Sequence, residues 1–262
     1  MRVATCIFAA GIAAAMGACQ LNIFASDRNL DFEASEPFSV VLDASDAASL
    51  RLDGISGQIT IAGDAVSTDV ELDALLTVRS SSRLDAQDFL SRVTVEVADV
   101  GDEIRIRTDQ PNNTGGREVI VDYEITLPDY LSLQIANVNG EVTISSVDAA
   151  VTVDNVNGLV DVSDVVGDAD ATVVNGDLDV DLTLLPGGHA DLGVVNGNMT
   201  LRVPASVSAM LEADAVNGIV TVTGLTISDA TTTSRSVHGR LGGGDGLIQL
   251  DVTNGTITVR AR

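Results

Sequence analysis

An Asn-Gly pair recurs down the second half of the chain and fixes what that half can fold into. It occurs in NVNGEVTI (137–144), NVNGLVDV (155–162), VVNGDLDV (173–180), VVNGNMTL (194–201), AVNGIVTV (215–222) and VTNGTITV (252–259). The asparagines are separated by 18, 18, 21, 21 and 37 residues, and the last interval is about two repeats long. A near-constant period of about 20 residues marks a repeat architecture, which has to be settled before any shorter motif is weighed.

The residues after each pair keep a strict register. Val142, Val160, Leu178, Met199, Val220 and Ile257 form one apolar column, and Ile144, Val162, Val180, Leu201, Val222 and Val259 form a second. Between them lie Thr143, Asp161, Asp179, Thr200, Thr221 and Thr258. Two apolar side chains therefore face one way and a polar one the other, which is the half-buried strand pattern.

Two architectures fit. Asn-Gly is the favoured dipeptide of a type I′ hairpin, which gives an antiparallel meander. Alternatively each repeat is one coil of a parallel β-solenoid, its equivalent strands stacked about 4.8 Å apart. Identical columns favour the solenoid, because stacking turns them into continuous ladders. Its corner turns are then Asn139-Gly140, Asn157-Gly158, Asn175-Gly176, Asn196-Gly197, Asn217-Gly218 and Asn254-Gly255. Asn and Gly both tolerate the left-handed backbone that a corner demands.

The rest of the composition agrees with a narrow, strand-built interior. Aromatics make up 3% of the 262 residues, Trp is absent, and the apolar weight falls on Val, Ala, Leu and Ile. All 14 basic residues are Arg, and the net charge is −24. Nucleic-acid binding needs a basic footprint, so it is excluded as a partner class. Solubility explains such a charge, and cation binding is the sharper alternative.

Residues 1–18 read as a signal peptide. Arg2 starts it, Cys6 to Ala15 is apolar, and Met16-Gly17-Ala18 leads into Cys19. The apolar run is too short to span a bilayer as a mature helix. A Cys directly after small residues resembles the bacterial lipoprotein signal, which implies a lipidated Cys19, membrane attachment through that lipid and a cell-envelope location. Met16 departs from the Leu usual in that motif. With Cys6 removed and Cys19 lipidated, no disulfide remains.

Residues 19–37 lack periodicity and read as a tether, with the folded domain at 38–262. Within it, 38–130 reads as an irregular capping part and 131–262 as the regular coils. Strand patterns fall at 38–42, 50–52, 58–61, 70–78, 94–97, 103–107 and 119–127. One helix is predicted over 84–93, with Ser82 as N-cap and Leu84, Phe89 and Leu90 sharing a face.

Three motifs in order carry a family resemblance: Gly57-Gln58-Ile59-Thr60-Ile61, then Tyr123-Glu124-Ile125-Thr126-Leu127-Pro128 leading into the repeats, then Gly244-Asp245-Gly246-Leu247-Ile248-Gln249-Leu250 before the last one. The chain resembles, over about 38–260, the bacterial putative-adhesin family of β-strand-repeat domains, whose function is undefined. The resemblance implies a right-handed parallel β-helix-like fold, all-β with coils of 18–21 residues and one short helical insert.

Chemistry is sparse. His189 sits in the turn Pro186-Gly187-Gly188-His189, and neither it nor His238 belongs to a nucleophile motif. Leu241-Gly242-Gly243-Gly244-Asp245-Gly246 lacks the Lys and the following helix of a phosphate loop. The one constellation is acidic. Asp177, Asp179 and Asp181 alternate along a strand, and Asp161 precedes Asp179 by one coil. Stacked like charges repel, so relief is expected from solvent, from Arg202 beside Asp181, or from a Ca²⁺ held by Asp161, Asp179, Asp181 and water. No other cofactor is called for.

The expected function is a non-catalytic, lipid-anchored envelope scaffold or adhesin-like surface. Its contact face is lined by Thr143, Thr200, Thr221 and Thr258, and its partner is an envelope protein or a glycan. The alternative is a polysaccharide-active lyase or hydrolase built around Arg202, Asp179 and Asp181. The C-terminal Arg260 and Arg262 are expected to charge one end of the stack against self-association.

Overall fold

The structure, a computed structural model, describes residues 30–262. The expected signal peptide, Cys19 and the expected tether up to residue 29 lie outside the described residues. Almost everything described is strand. The first part holds β1 (Phe32–Asp43), β2 (Ser49–Asp53), β3 (Ile59–Asp64), β4 (Asp69–Ser80), α1 (Arg83–Leu90), β5 (Thr94–Val100), β6 (Glu103–Asp109) and β7 (Glu118–Pro128). The repeats supply β8 (Ser132–Asn139), β9 (Val142–Val147), β10 (Val151–Asn157), β11 (Val160–Val166), β12 (Ala169–Asn175), β13 (Leu178–Thr183), β14 (His189–Asn196) and β15 (Met199–Val203). The chain ends with β16 (Ala209–Thr223), β17 (Ile227–Thr232), β18 (Ser236–Leu241) and β19 (Gly246–Ala261).

Each repeat is a strand, an Asn-Gly corner and a second strand, so the stacked repeats build two walls. The wall before the corner runs β5, β6, β2, β8, β10, β12, β14, β19, β16, β18, β17. The wall after it runs β1, β4, β7, β3, β9, β11, β13, β15, β19, β16. β16 and β19 are long enough to pass through the corner and serve both walls, joining everything into one 19-stranded sheet. The repeats pair in parallel, which rules out the hairpin meander. The sheet as a whole is mixed, because β1, β4, β5, β17 and β18 pair antiparallel at the ends.

The alternating residues fill the space between the walls. Leu133, Ile135, Val153, Ala171, Leu192, Leu250 and Leu211 point inward from one wall, and Val142, Ile144, Val160, Leu178, Met199 and Ile257 from the other, all buried in one cluster. Small and β-branched side chains suit this thin interior, which explains the shortage of aromatics. The longer 21-residue repeats carry their extra length in return turns. One is Leu184–Gly188, where Gly188 N–H donates to Leu185 O at 2.9 Å; the other is Pro204–Ser208.

The stacking order differs from chain order at both ends. β2 and β3 lie between β6–β7 and β8–β9. β19 lies between β14–β15 and β16. The 37-residue interval is therefore not two coils. It is a corner followed by the antiparallel β17–β18 cap and a return into a slot. The part expected to be irregular holds two coils in register, and Gly57-x-Ile59-x-Ile61 is a seventh repeat with Ser56 where the others have Asn. Arg260 and Arg262 stand inside the stack rather than at its end. β1 starts at Phe32 and pairs with β4 from Ser80 onward, so residues 32–37 are strand rather than tether.

α1 packs beside β1 and β4 with Ala86, Phe89 and Leu90 buried, while Leu84 is 78% exposed. Ser82 caps it, its hydroxyl accepting from Asp85 N–H at 3.2 Å. Arg117 grips Asp85 with two hydrogen bonds of 2.6 and 2.7 Å and lies over the Phe89 ring. That fork, with the Ser80 hydroxyl, draws the Asp85 carboxyl down to about 2. Among the described residues no helix is long and apolar enough to cross a membrane.

Candidate functional site

The corner is the most regular feature of the surface. The side-chain amides form a hydrogen-bonded ladder in which each asparagine donates to the next: Asn157 to Asn139, Asn175 to Asn157 and Asn196 to Asn175, each at 2.9 Å. Asn254 donates to Asn196 at 2.8 Å and Asn217 to Asn254 at 2.9 Å, so the last repeat in sequence is the second-last rung. Asn139 continues to the Ser56 hydroxyl at 3.3 Å. The conformational task falls to glycine alone. Gly57, Gly140, Gly158, Gly176, Gly197 and Gly255 have φ of 132–154°, and none of the six asparagines has positive φ. A Cβ on Gly158 would overlap the carbonyl oxygen of Gly140, the stacked glycine, and the same holds up the column.

Beside the ladder, the outer face of the second wall aligns Thr60, Thr143, Asp161, Asp179, Thr200, Thr258 and Thr221 in register. The threonines expected there are in place, in the order 143, 200, 258, 221. Asp161 and Asp179 are direct neighbours. Partial burial pushes the Asp161 carboxyl up, Asp179 adds to the rise, and Arg202 opposes it.

Of the acidic residues called from the sequence, Asp179 and Asp181 have basic partners. Arg202 lies 3.9 Å from Asp179, and Asp181 pairs with Arg262, which also reaches Thr183. Asp177 belongs to the corner, where it accepts from Asn198 N–H at 2.7 Å. Among the described residues no three His, Cys, Asp or Glu side chains converge as a metal site would require. Arg202 stands in register with Asp181, as expected, and its cation is engaged by Asp179.

The first wall has a different character. Its outward rows from β8 to β16 carry Asp154, Asp170, Asp191, Asp251, Glu212 and Asp214, and the parts of those strands that lie before the corner contain no Arg or Lys. His189 lies 3.2 Å from Asp168 and 3.3 Å from Asp170, and His238 is 2.7 Å from Asp214. Next to the ladder runs a row of outward valines: Val138, Val156, Val174, Val195 and, beyond Thr253, Val216, the last 61% exposed. The signal for this row was present in the sequence, since Val precedes Asn in five of the six pairs. Weighing only the residues after each corner misses it.

Two buried polar groups were also missed. Asn137 and Asn155 occupy an inward column that continues as Val173, Val194, Val252 and Ala215. Asn155 donates to Gly140 O at 3.1 Å, and its own Oδ1 has no partner. An open recess of about 700 Å³ lies where Ser56-Gly57-Gln58 and Asn139-Gly140-Glu141 meet Arg117 and Glu118.

Comparison with known proteins places this architecture. A solved structure of a putative cell adhesion protein from Clostridium sporogenes superposes with a TM-score of 0.50 at 12% identity, covering 87% of this chain and 100% of that one. A putative adhesin from Bacteroides fragilis gives 0.30 at 11% identity, covering 87% and 97%. A putative lipid binding protein from Parabacteroides distasonis gives 0.30 at 9% identity, covering 86% and 96%. No curated protein matches the chain. The model of one family spans residues 20–260, and the chain belongs to that family, Toastrack DUF4097.

Proposed function

We propose that this protein is a non-catalytic, exported binding wall of the cell envelope, adhesin-like in role and tethered through lipid on Cys19. The carrying observation is the in-register outer row Thr60, Thr143, Asp161, Asp179, Thr200, Thr258 and Thr221. It offers hydroxyl and carboxylate groups at one fixed spacing over seven coils, which suits an extended partner such as a glycan or an envelope protein. A repeat stack whose coils contact only their neighbours is a rigid, extended surface. The same fold in a protein named as a putative cell adhesion protein supports the reading. In this proposal the coils of 18–21 residues wind right-handed, the hand that parallel crossovers adopt.

The test is protease and antibody accessibility of the strand domain in intact and in permeabilised cells. Accessibility in intact cells is the expected result. Protection until permeabilisation would remove the adhesive role and leave a scaffold inside the envelope.

A further inference from the structure

The chain carries six Asn-Gly pairs, the most labile asparagine context known to peptide chemistry, and the fold protects them unequally. Succinimide formation requires the glycine nitrogen to swing onto the asparagine Cγ. In the interior coils three restraints oppose that swing. The Asn side chain is held in the ladder on both sides: Asn157, for example, donates to Asn139 and accepts from Asn175. The glycine N–H is also spent, since Gly140, Gly158, Gly176 and Gly197 each donate to the Asn carbonyl of the following coil at 2.9–3.0 Å. Finally, the flanking residues are fixed in paired strands.

Asn217-Gly218 lies in the outermost coil, where pairing with β19 on one side remains but the other two restraints lapse. Asn217 is the end of the ladder: its Nδ2 donates to Asn254, but no further asparagine follows to occupy its Oδ1. The pattern of the stack turns Gly218 N–H away from β19, toward the side where no further coil lies. The flanking groups on that side find the loop instead, Ala215 N–H reaching Arg235 O and Val220 N–H reaching Ser234 O, with Gly218 between them. Asn217 is exposed, as are Val216 and Ile219 on either side of the pair.

We propose that Asn217 is a site of spontaneous covalent modification, converting to aspartate and isoaspartate while the other five Asn-Gly pairs are held unreactive. The Gly218 nitrogen loses its proton and bonds to Asn217 Cγ. The Cγ–Nδ2 bond breaks and ammonia leaves. Water then opens the succinimide, giving aspartate if the new C–N bond is cut or isoaspartate if the original peptide C–N bond is cut. Either product deletes the amide that Asn217 donates to Asn254 and adds a negative charge at the end of the stack. Isoaspartate also lengthens the backbone at the edge strand.

The test is peptide mapping by mass spectrometry of the full chain, incubated folded in mildly alkaline buffer and, separately, unfolded in urea. In the folded protein the amide-to-acid mass shift should accumulate at Asn217 several-fold faster than at Asn139, Asn157, Asn175, Asn196 or Asn254. In urea the six should converge. Equal rates in the folded protein, a faster interior pair, or no conversion at Asn217 while the unfolded chain reacts would each overturn the proposal. Asn217→Gln should suppress the acidic form that isoelectric focusing resolves as the wild type ages; persistence of that form would overturn it as well.

Discussion

At the scale of single residues, the corner separates two roles that the sequence presents as one dipeptide. Glycine supplies the positive φ and the space for the stacked carbonyl, and asparagine supplies the rung. Gly158→Ala meets both the strained backbone and the Gly140 oxygen, so it should cost on the order of 3 kcal/mol or more in urea unfolding. Asn155 behaves in the opposite sense. Its Oδ1 is buried and unpaired where the next three coils place valine, so Asn155→Val should raise stability by about 1 kcal/mol in the same titration. Asp161 carries a pH signature. Its folded carboxyl titrates above the ordinary value, so the ionised form opposes folding, and this penalty disappears as pH falls through the folded and then the unfolded value. Asp161→Asn should therefore melt higher than wild type at neutral pH, with the two curves meeting below the usual carboxylate range. The ladder and the threonine row were legible because they recur. Asn155 was not, because burial of a polar side chain beside a corner depends on which coil stacks above it.

Among elements, β19 is the most informative. It pairs with β14 and β15 on one side and with β16 on the other over nearly its whole length, and Arg262 reaches past β15 to Asp181 and Thr183. Removing residues 246–262 leaves two facing strand edges two spacings apart. Amide exchange in β14, β15 and β16 should then rise to that of loops, while β8–β11 stay protected, as expected when stability is a sum of neighbour interfaces. The sequence disclosed this strand and its register but not its place. Periodicity says which residues stack and is silent on order, and a return into a slot leaves the same repeat as one more coil at the end. The helix shows the same limit on a smaller scale. Spacing alone put Leu84 on the buried face, whereas the contact of α1 with β1 and β4 chooses Ala86 instead.

For the whole molecule, each end is closed by a strand arrangement that cannot simply be repeated. β2–β3 and β19 are each wedged one coil in from an end, and antiparallel strands lie outside them. Adding a coil beyond β16 would have to break the β16–β18 pairing, and adding one beyond β7 would have to displace β4. Between β8 and β15 there is no such obstacle, since every coil there meets equivalents above and below. Duplicating residues 151–168 in place should yield a folded chain one coil longer, with unchanged circular dichroism per residue and a cooperative melt. The same insertion after residue 223 should not. Proteins built to this plan thus lengthen from their middle, with finished ends carried outward intact, and differences in reach among relatives should be sought as whole coils gained or lost between those ends.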